Sequence, residues 1–378
     1  MLHRSIRRAL RLAGIFSYLA IHQALAFVKS AEGHNELFVV GSLATGFDSN
    51  INSAAEGKSD LITSTTVALN YIRNAGLIGV NSELSWTRAD FAENAAESFS
   101  DPTLTLEFNK KTGRTTGSLS FSAGRQSQAD ASINQRTVAW NYSTAFNWKY
   151  PVMDRYSVGG TLSYGLIDYT GTTSTLTDLT TKSASTDLFY RYDSQRELLA
   201  GYRIRQSDTS ANNQSTDHSV TTGVSGKILA KLRGSVRAGY QVRQEGSSGQ
   251  SFGSTTASAA LTWAVNKRFT LTGTVEKDFS TTSAESSVDN LSFNLAAQYV
   301  LTYQWAVFSG VGTGDSLFLN GTDLDRKDFY ATWNTGLAYT LNDHLRTSLS
   351  YSYFQNWSNR DTSSFDRSTL TLNVSTRW

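Results

Sequence analysis

From about residue 36 to its end the chain alternates apolar and polar positions in runs of about 10 to 15 residues, and each run predicts a β-strand with two unlike faces. Val138, Trp140, Tyr142, Thr144, Phe146 and Trp148 share one face of such a run, and Leu291, Phe293, Leu295, Ala297, Tyr299 and Leu301 share one face of another. Phe329, Ala331, Trp333, Thr335, Leu337, Tyr339 and Leu341 form a third. The opposite faces are mainly small or polar. Two kinds of break separate the runs. Tight ones fall near Arg73-Asn74-Ala75, Lys110 to Arg114, Tyr150 to Asp154, Asp193 to Arg196, Leu229 to Lys231, Asn266-Lys267, Thr302 to Gln304 and Asn342 to His344, about 36 to 42 residues apart. Between them lie polar stretches rich in Ser, Thr, Asp, Asn and Gly, at residues 48–60, 89–100, 127–134, 170–182, 207–217, 245–252, 280–289, 316–327 and 358–364. The count is about eighteen strands. An even number puts both ends of the chain on the tight-turn side.

One face suited to lipid and one to water, with short turns at one end and longer loops at the other, predicts an all-β, antiparallel transmembrane β-barrel. Its turns would be periplasmic, its loops external, and both termini periplasmic. Composition agrees: mean hydropathy is below zero, aromatic residues make up 12% of the chain, and Pro occurs only twice. Half of every strand in such a barrel faces a wet lumen, so the average stays polar. Trp86, Trp140, Trp333 and Trp357 fall towards the loops and Trp148, Trp263 and Trp305 towards the turns, as two membrane-interface girdles require. The competing reading is a soluble sandwich or propeller with these aromatics in its core.

The first residues change the charge balance. Arg4, Arg7, Arg8 and Arg11 precede an apolar stretch from Leu12 to Ile21 and the small-x-small sequence Ala24-Leu25-Ala26, which together predict a secretory signal peptide over residues 1–26. An amphipathic anchor helix is the alternative. A short periplasmic segment over 27–35 and the barrel over 36–378 would follow. Removing the four arginines takes the formal charge from +2 to about −2, so nucleic-acid binding loses its electrostatic motive. Cysteine is absent, which excludes disulfides, thiolate metal sites and cysteine nucleophiles. No cofactor is expected.

The polar faces carry the candidate functional residues. Arg203, Arg205, Lys227, Arg233, Arg237 and Arg243 come from three neighbouring strands and would line the pore. Basic groups in a narrow lumen concentrate anions, so small anionic solutes or acidic saccharides are the expected cargo, unless the arginines pair with nearby carboxylates or only brace the wall. Barrels of this strand number enclose water, and none of the loops is long enough to form a large folded plug, so the lumen is expected to be open or only narrowed. A membrane hydrolase is the rival class. Its best candidate, His218 in Thr216-Asp217-His218-Ser219, has its acidic and hydroxyl neighbours on the opposite strand face, which forbids a local triad. Asp323, Asp325 and Asp328 offer at most a weak calcium site or a solvated acidic loop.

Two short motifs and the closing strand carry resemblances. Leu370, Leu372, Val374 and Trp378 share one face of a last strand that ends in an aromatic residue, and this segment resembles the β-signal read by the barrel-assembly machinery. Gly46-Phe47-Asp48-Ser49-Asn50-Ile51, with Asp366-Arg367-Ser368 before the last strand, resembles the putative beta-barrel porin family of Gram-negative outer-membrane proteins. The resemblance implies an outer-membrane channel in contact with lipid. Some members are associated with exopolysaccharide production and export, so an export or surface-anchoring component that conducts little without partners is the second expectation. The terminal Trp stands where Phe is commoner.

Overall fold

A computed structural model describes residues 28–29, 35–74, 76–170, 176–246 and 249–378. The predicted signal peptide lies outside the described residues. After the short strand β1 (Val28–Lys29), eighteen long antiparallel strands follow in chain order: β2 (Asn35–Asp48), β3 (Asp60–Arg73), β4 (Gly79–Phe91), β5 (Phe99–Lys110), β6 (Thr116–Asp130), β7 (Gln135–Pro151), β8 (Tyr156–Tyr169), β9 (Leu179–Arg191), β10 (Arg196–Thr209), β11 (Gln214–Leu229), β12 (Leu232–Glu245), β13 (Ser251–Ala264), β14 (Phe269–Thr281), β15 (Ser287–Val300), β16 (Trp305–Phe318), β17 (Lys327–Thr340), β18 (Leu345–Ser358) and β19 (Phe365–Arg377). Each long strand pairs with its sequence neighbours, and β19 pairs with β2, so the sheet closes. β1 adds to β2 through Val28↔Leu37 and Lys29↔Glu36. At ~3.4 Å per residue and a tilt of ~40°, a strand of 14 residues, such as β10, rises about 36 Å, more than the apolar thickness of a membrane.

Alternation decides the two faces. Leu84, Trp86, Phe146, Leu162, Tyr202, Val220, Tyr240, Phe293, Trp333, Leu370 and Leu372 are all exposed, on the outer face of their strands. Such a belt would be a severe liability in water and is what a lipid-facing wall needs. The inward positions are largely Ser, Thr, Asn, Gly and charged residues, and a compact apolar cluster, Ile51, Ala89 and Phe91 with Ile62 and Phe99, sits at the loop end.

The turn end repeats one device. Asp193, Asn266 and Asn342 each accept, through the side-chain oxygen, hydrogen bonds from the backbone N–H groups two and three residues on. Thr302 does the same with its hydroxyl. These residues supply their own turn geometry, which is why the chain reverses there. The hydrogen bond from the Gln195 amide, then that from Arg196, holds the Asp193 carboxyl below the usual range.

At the loop end the strands run further than composition suggests. The stretch 127–134 belongs to β6 up to Asp130 and to no strand only over 131–134, and only residues 210–213 separate β10 from β11. The physical reason is that lumen-facing halves of strands are as polar as loops, so polarity alone does not mark where pairing stops.

The seam carries a dense clasp. Asp48 accepts from Arg367 Nε at 3.1 Å to each oxygen and from Nη2 at 2.6 Å. Ser368 N donates to Ser49 Oγ at 2.8 Å, and Ser49 N to Ser368 O at 3.0 Å. Asn50 Nδ2 reaches Asp366 O at 3.0 Å and Ala54 O at 2.8 Å, while Ile51 is fully buried. Gly46 must lack a side chain, since a Cβ there would lie 2.8 Å from Leu370 O and 2.7 Å from Thr371 Oγ1. At the other end, Trp378 and Val39 exchange backbone hydrogen bonds of 2.9 and 2.8 Å, and His344 stacks on Trp378 with centroids 4.2 Å apart. Asp48→Ala strands a part-buried guanidinium, so we expect it to destabilise the barrel by about 3 kcal/mol. Denaturant titration read by the gel mobility of the folded barrel checks this, and a loss under about 0.5 kcal/mol would contradict it.

Candidate functional site in the barrel lumen

Strand register sets which side chains can meet across the interior. Arg203 and Arg205 of β10, Asp217 and Lys227 of β11, and Arg233, Arg237 and Arg243 of β12 all occupy inward positions. Asp187 of β9 and Asp278 of β14 reach the same wall from either side. The result is an ion-pair lattice. Arg205 donates to Asp217 Oδ2 from Nε at 2.8 Å and Nη2 at 2.6 Å, and to Asp278 Oδ2 from Nη1 at 2.9 Å. Arg243 meets Asp217 at 2.7 and 2.9 Å and donates further to Ser280 O at 2.6 Å and Ser287 Oγ at 3.0 Å. Arg203 pairs with Asp278 at 2.8 Å, and Arg237 with Asp187 at 2.7 and 3.3 Å. Glu245 accepts from Ser287 Oγ at 2.5 Å beside them.

Exposure separates the six basic residues expected to line the pore. The Arg243 side chain is 0% exposed and Arg205 16%, whereas Arg203 and Arg237 keep 30% and 31%. All four are paired with carboxylates, of which Asp217 and Asp278 are each shared by two arginines. Lys227 and Arg233 stand directly opposite one another across β11 and β12, towards the turn end, and among the described residues neither has an ion pair. Like charges facing one another cost stability, and uncompensated positive charge persists at this pair. On β4 and β5, Glu83 and Glu107 point inward beside a cavity of about 510 Å³ that Arg377 also lines.

The loop end is spanned by contacts between hairpins. Arg326, just before β17, is nearly buried, holds Asp328 through Nε at 3.0 Å to each oxygen, and donates from Nη1 to Ser132 O at 2.7 Å. Its guanidinium also lies 4.5 Å from the centre of the Phe318 ring. The β6–β7 and β16–β17 hairpins stand on nearly opposite sides of the ring, so this bond crosses the opening. Asn134 Nδ2 donates to Ser53 O at 2.8 Å, Arg136 Nη1 to Ile51 O at 3.2 Å, and Thr177 N to Ser283 O at 3.0 Å. Arg326 was not singled out by sequence, because its partners are carbonyl groups almost two hundred residues away in the chain. In the acidic loop Asp328 is committed to Arg326, and Asp323 lies within ion-pair distance of Arg326 and Arg360.

The remaining expected residues sit as follows. Trp86, Trp263, Trp305, Trp333 and Trp357 are exposed on the outer wall, and Trp140 and Trp148 are partly exposed there. Several are braced by neighbours: Trp140 stacks on Tyr142, Trp305 packs 4.5 Å from Tyr339, and Trp357 stacks on Phe329. Leu370, Leu372, Val374 and Trp378 follow one another along the outer face of β19 and its end. His218 accepts or donates a 2.7 Å hydrogen bond with Tyr202 Oη on the outer face, while Asp217 and Ser219 point inward, and Asp217 is committed to two arginines. Among the described residues no group of three or more His, Cys, Asp or Glu is arranged to hold a metal ion.

Residues 206–378 match the model of a family described as putative beta-barrel porin 2, which bears out the resemblance read from the sequence. The chain is also similar in fold to the crystal structure of Pseudomonas aeruginosa OpdK with vanillate, at a TM-score of 0.50 and 10% identity, covering 90% of this chain and 99% of that one. The structure of the outer membrane protein OpdK from Pseudomonas aeruginosa matches at the same TM-score, identity and coverage. No curated protein matches the chain in sequence. The chain therefore shares the closed, antiparallel eighteen-strand β-barrel fold of these outer-membrane proteins, and residues 206–378 are similar to a porin family.

Two outcomes follow from this geometry. Arg243→Ala should cost about 3 kcal/mol of stability, since it removes one of the two arginines that hold the buried Asp217, yet leave the reversal potential in a salt gradient unmoved; a shifted potential would mean that Arg243 meets the permeating ions. Arg326→Ala should raise single-channel conductance by untying the hairpins that cross the opening. Equal conductance for variant and wild type would place the narrowest point elsewhere.

Proposed function

We propose that this barrel is a passive diffusion channel for small hydrophilic solutes, that its termini and short turns are periplasmic, and that it prefers anions, acidic sugars among them, at the periplasmic mouth. The observation that carries the preference is the facing pair Lys227 and Arg233, two inward cations without a carboxylate partner among the described residues. Ions of opposite sign accumulate where charge is uncompensated, because low-dielectric walls focus its field. The paired Arg203, Arg205, Arg237 and Arg243 contribute little to that field, and they serve as a rigid polar wall. Vanillate, the small carboxylate in the OpdK crystals, is a reasonable first probe of permeation. The outward face of Leu370, Leu372, Val374 and Trp378 supports reading the last strand as the signal handed to the barrel-assembly machinery.

A second reading, an export or surface-anchoring component that conducts little until a partner opens it, is favoured by one observation, the Arg326 bond across the loop end. A membrane hydrolase finds no support at His218, whose hydroxyl partner is a tyrosine on the outer wall.

Reversal potentials across a planar bilayer test the first reading. Lys227→Gln with Arg233→Gln should fold, since it relieves a cross-strand repulsion of about 0.2–1 kcal/mol, and should move selectivity towards cations. An unchanged potential would remove these residues from selectivity. A folded wild type that never opens, and that opens as Arg326→Ala, would favour the gated reading.

A further inference from the structure

Directly beneath the hairpins that cross the loop end lies a cavity of about 440 Å³, and its lining differs from that of the rest of the lumen. One side of it is aromatic. Tyr330 of β17 and Phe354 of β18 both line it, with ring centroids 5.6 Å apart and planes within 19°. Phe365 of β19 continues the strip, 5.5 Å from Phe354 and within 25° of its plane. The Tyr330 ring lies across Gly314 of β16, where an added Cβ would come within 2.3 to 2.5 Å of the ring's Cε1, Cζ and Oη. Tyr330 therefore rests one face on bare backbone, flat along the wall, with its other face towards the cavity.

Ile167, Leu179, Val288 and Phe318 add apolar surface, and the polar part of the lining is mainly hydroxyl and amide, from Ser280, Ser283, Asn290, Ser316 and Asn356 among others. The Ser283 side chain is buried in this lining, beside the Tyr169 hydroxyl. The charged side chains in the lining are Asp130 and Asp328. Asp328 is neutralised by Arg326, and Asp130 accepts from Ser132 N at 2.8 Å and Ser132 Oγ at 2.6 Å. Among the described residues no lysine or arginine lines this cavity, so an anion would find carboxylates and no counter-ion there.

We propose that this vestibule is a binding site for an uncharged, ring-shaped polyol of the pyranoside class, distinct from the cationic pair at the opposite mouth. A pyranose ring offers C–H faces that pack on flat aromatic rings and hydroxyl edges that both donate and accept, which matches an aromatic floor rimmed by serine hydroxyls and asparagine amides. A quaternary ammonium ion would also suit aromatic faces, but it has no use for the hydroxyl and amide rim. The hairpins carrying Ala131, Ser132 and Ser283 form both the roof of this site and the ties across the opening.

Equilibrium binding to the full-length barrel in detergent micelles tests the proposal without requiring that the channel conduct, so it stands or falls apart from the selectivity reading. The probe is trehalose, followed by saturation-transfer NMR, with glucuronate and choline as charged comparisons. Trehalose should bind saturably and more tightly than either. Tyr330→Ala should weaken it about tenfold, and Tyr330→Phe, which keeps the ring face, by no more than about twofold. Gly314→Ala, which displaces the ring into the cavity, should weaken it without removing an aromatic. Absent saturation, tighter binding of glucuronate or choline, or an affinity indifferent to Tyr330→Ala in a barrel that still shows folded gel mobility would each overturn the assignment.

Discussion

Everything in this molecule depends on closing one sheet on itself. In hydrocarbon no water is available to satisfy a strand edge, and each unpaired backbone group costs several kcal/mol, so an outer-membrane sheet either closes or does not insert. Here the closure joins residues more than three hundred positions apart, β2 and β19. Local turns hold every other hairpin in register, but the seam has none, and its register is specified instead by side chains. The Asp48 carboxylate takes the Arg367 guanidinium, Ser49 and Ser368 exchange two hydrogen bonds, and Asn50 ties the following loop to Asp366. A slip of one residue would turn Arg367 towards lipid, which makes the clasp a register lock as well as a bond.

Much of this was legible in the chain. Period-two alternation exposed the lipid face, the Asn and Asp turns marked one end, and the even strand count put the ends of the chain together. The motifs around Asp48 and Arg367 were visible as a family resemblance, but their meaning was not, since only a closed sheet brings them together. The ion-pair lattice was hidden for a similar reason. Arg205 and Asp278 lie 73 residues apart in sequence, and their meeting across the lumen depends on barrel curvature and on the register of four strand pairings. Charge counting along the polar faces therefore gave a wall more basic than the folded one, where Asp187, Asp217 and Asp278 answer the arginines. Loop boundaries were blurred because a lumen-facing half-strand and a loop share one composition.

The folded interior divides by height. Towards the turns, Lys227 and Arg233 face one another with no ion pair among the described residues. At mid-height and above, the β9 to β14 wall is an ion-pair lattice that braces the barrel. At the loop end, Arg326 draws hairpins from opposite sides together over an aromatic vestibule. Side chains thus place unpaired charge, ion-pair bracing and hairpin ties at separate levels of the barrel.

Permeation itself is the most direct test of the account. Proteoliposomes holding the wild-type barrel, challenged with solutes of similar size but different charge, should swell in isotonic solutions of small anionic sugars and carboxylates faster than in their cationic counterparts. Liposomes that swell no faster than protein-free ones, around a barrel shown to be folded, would contradict a passive channel.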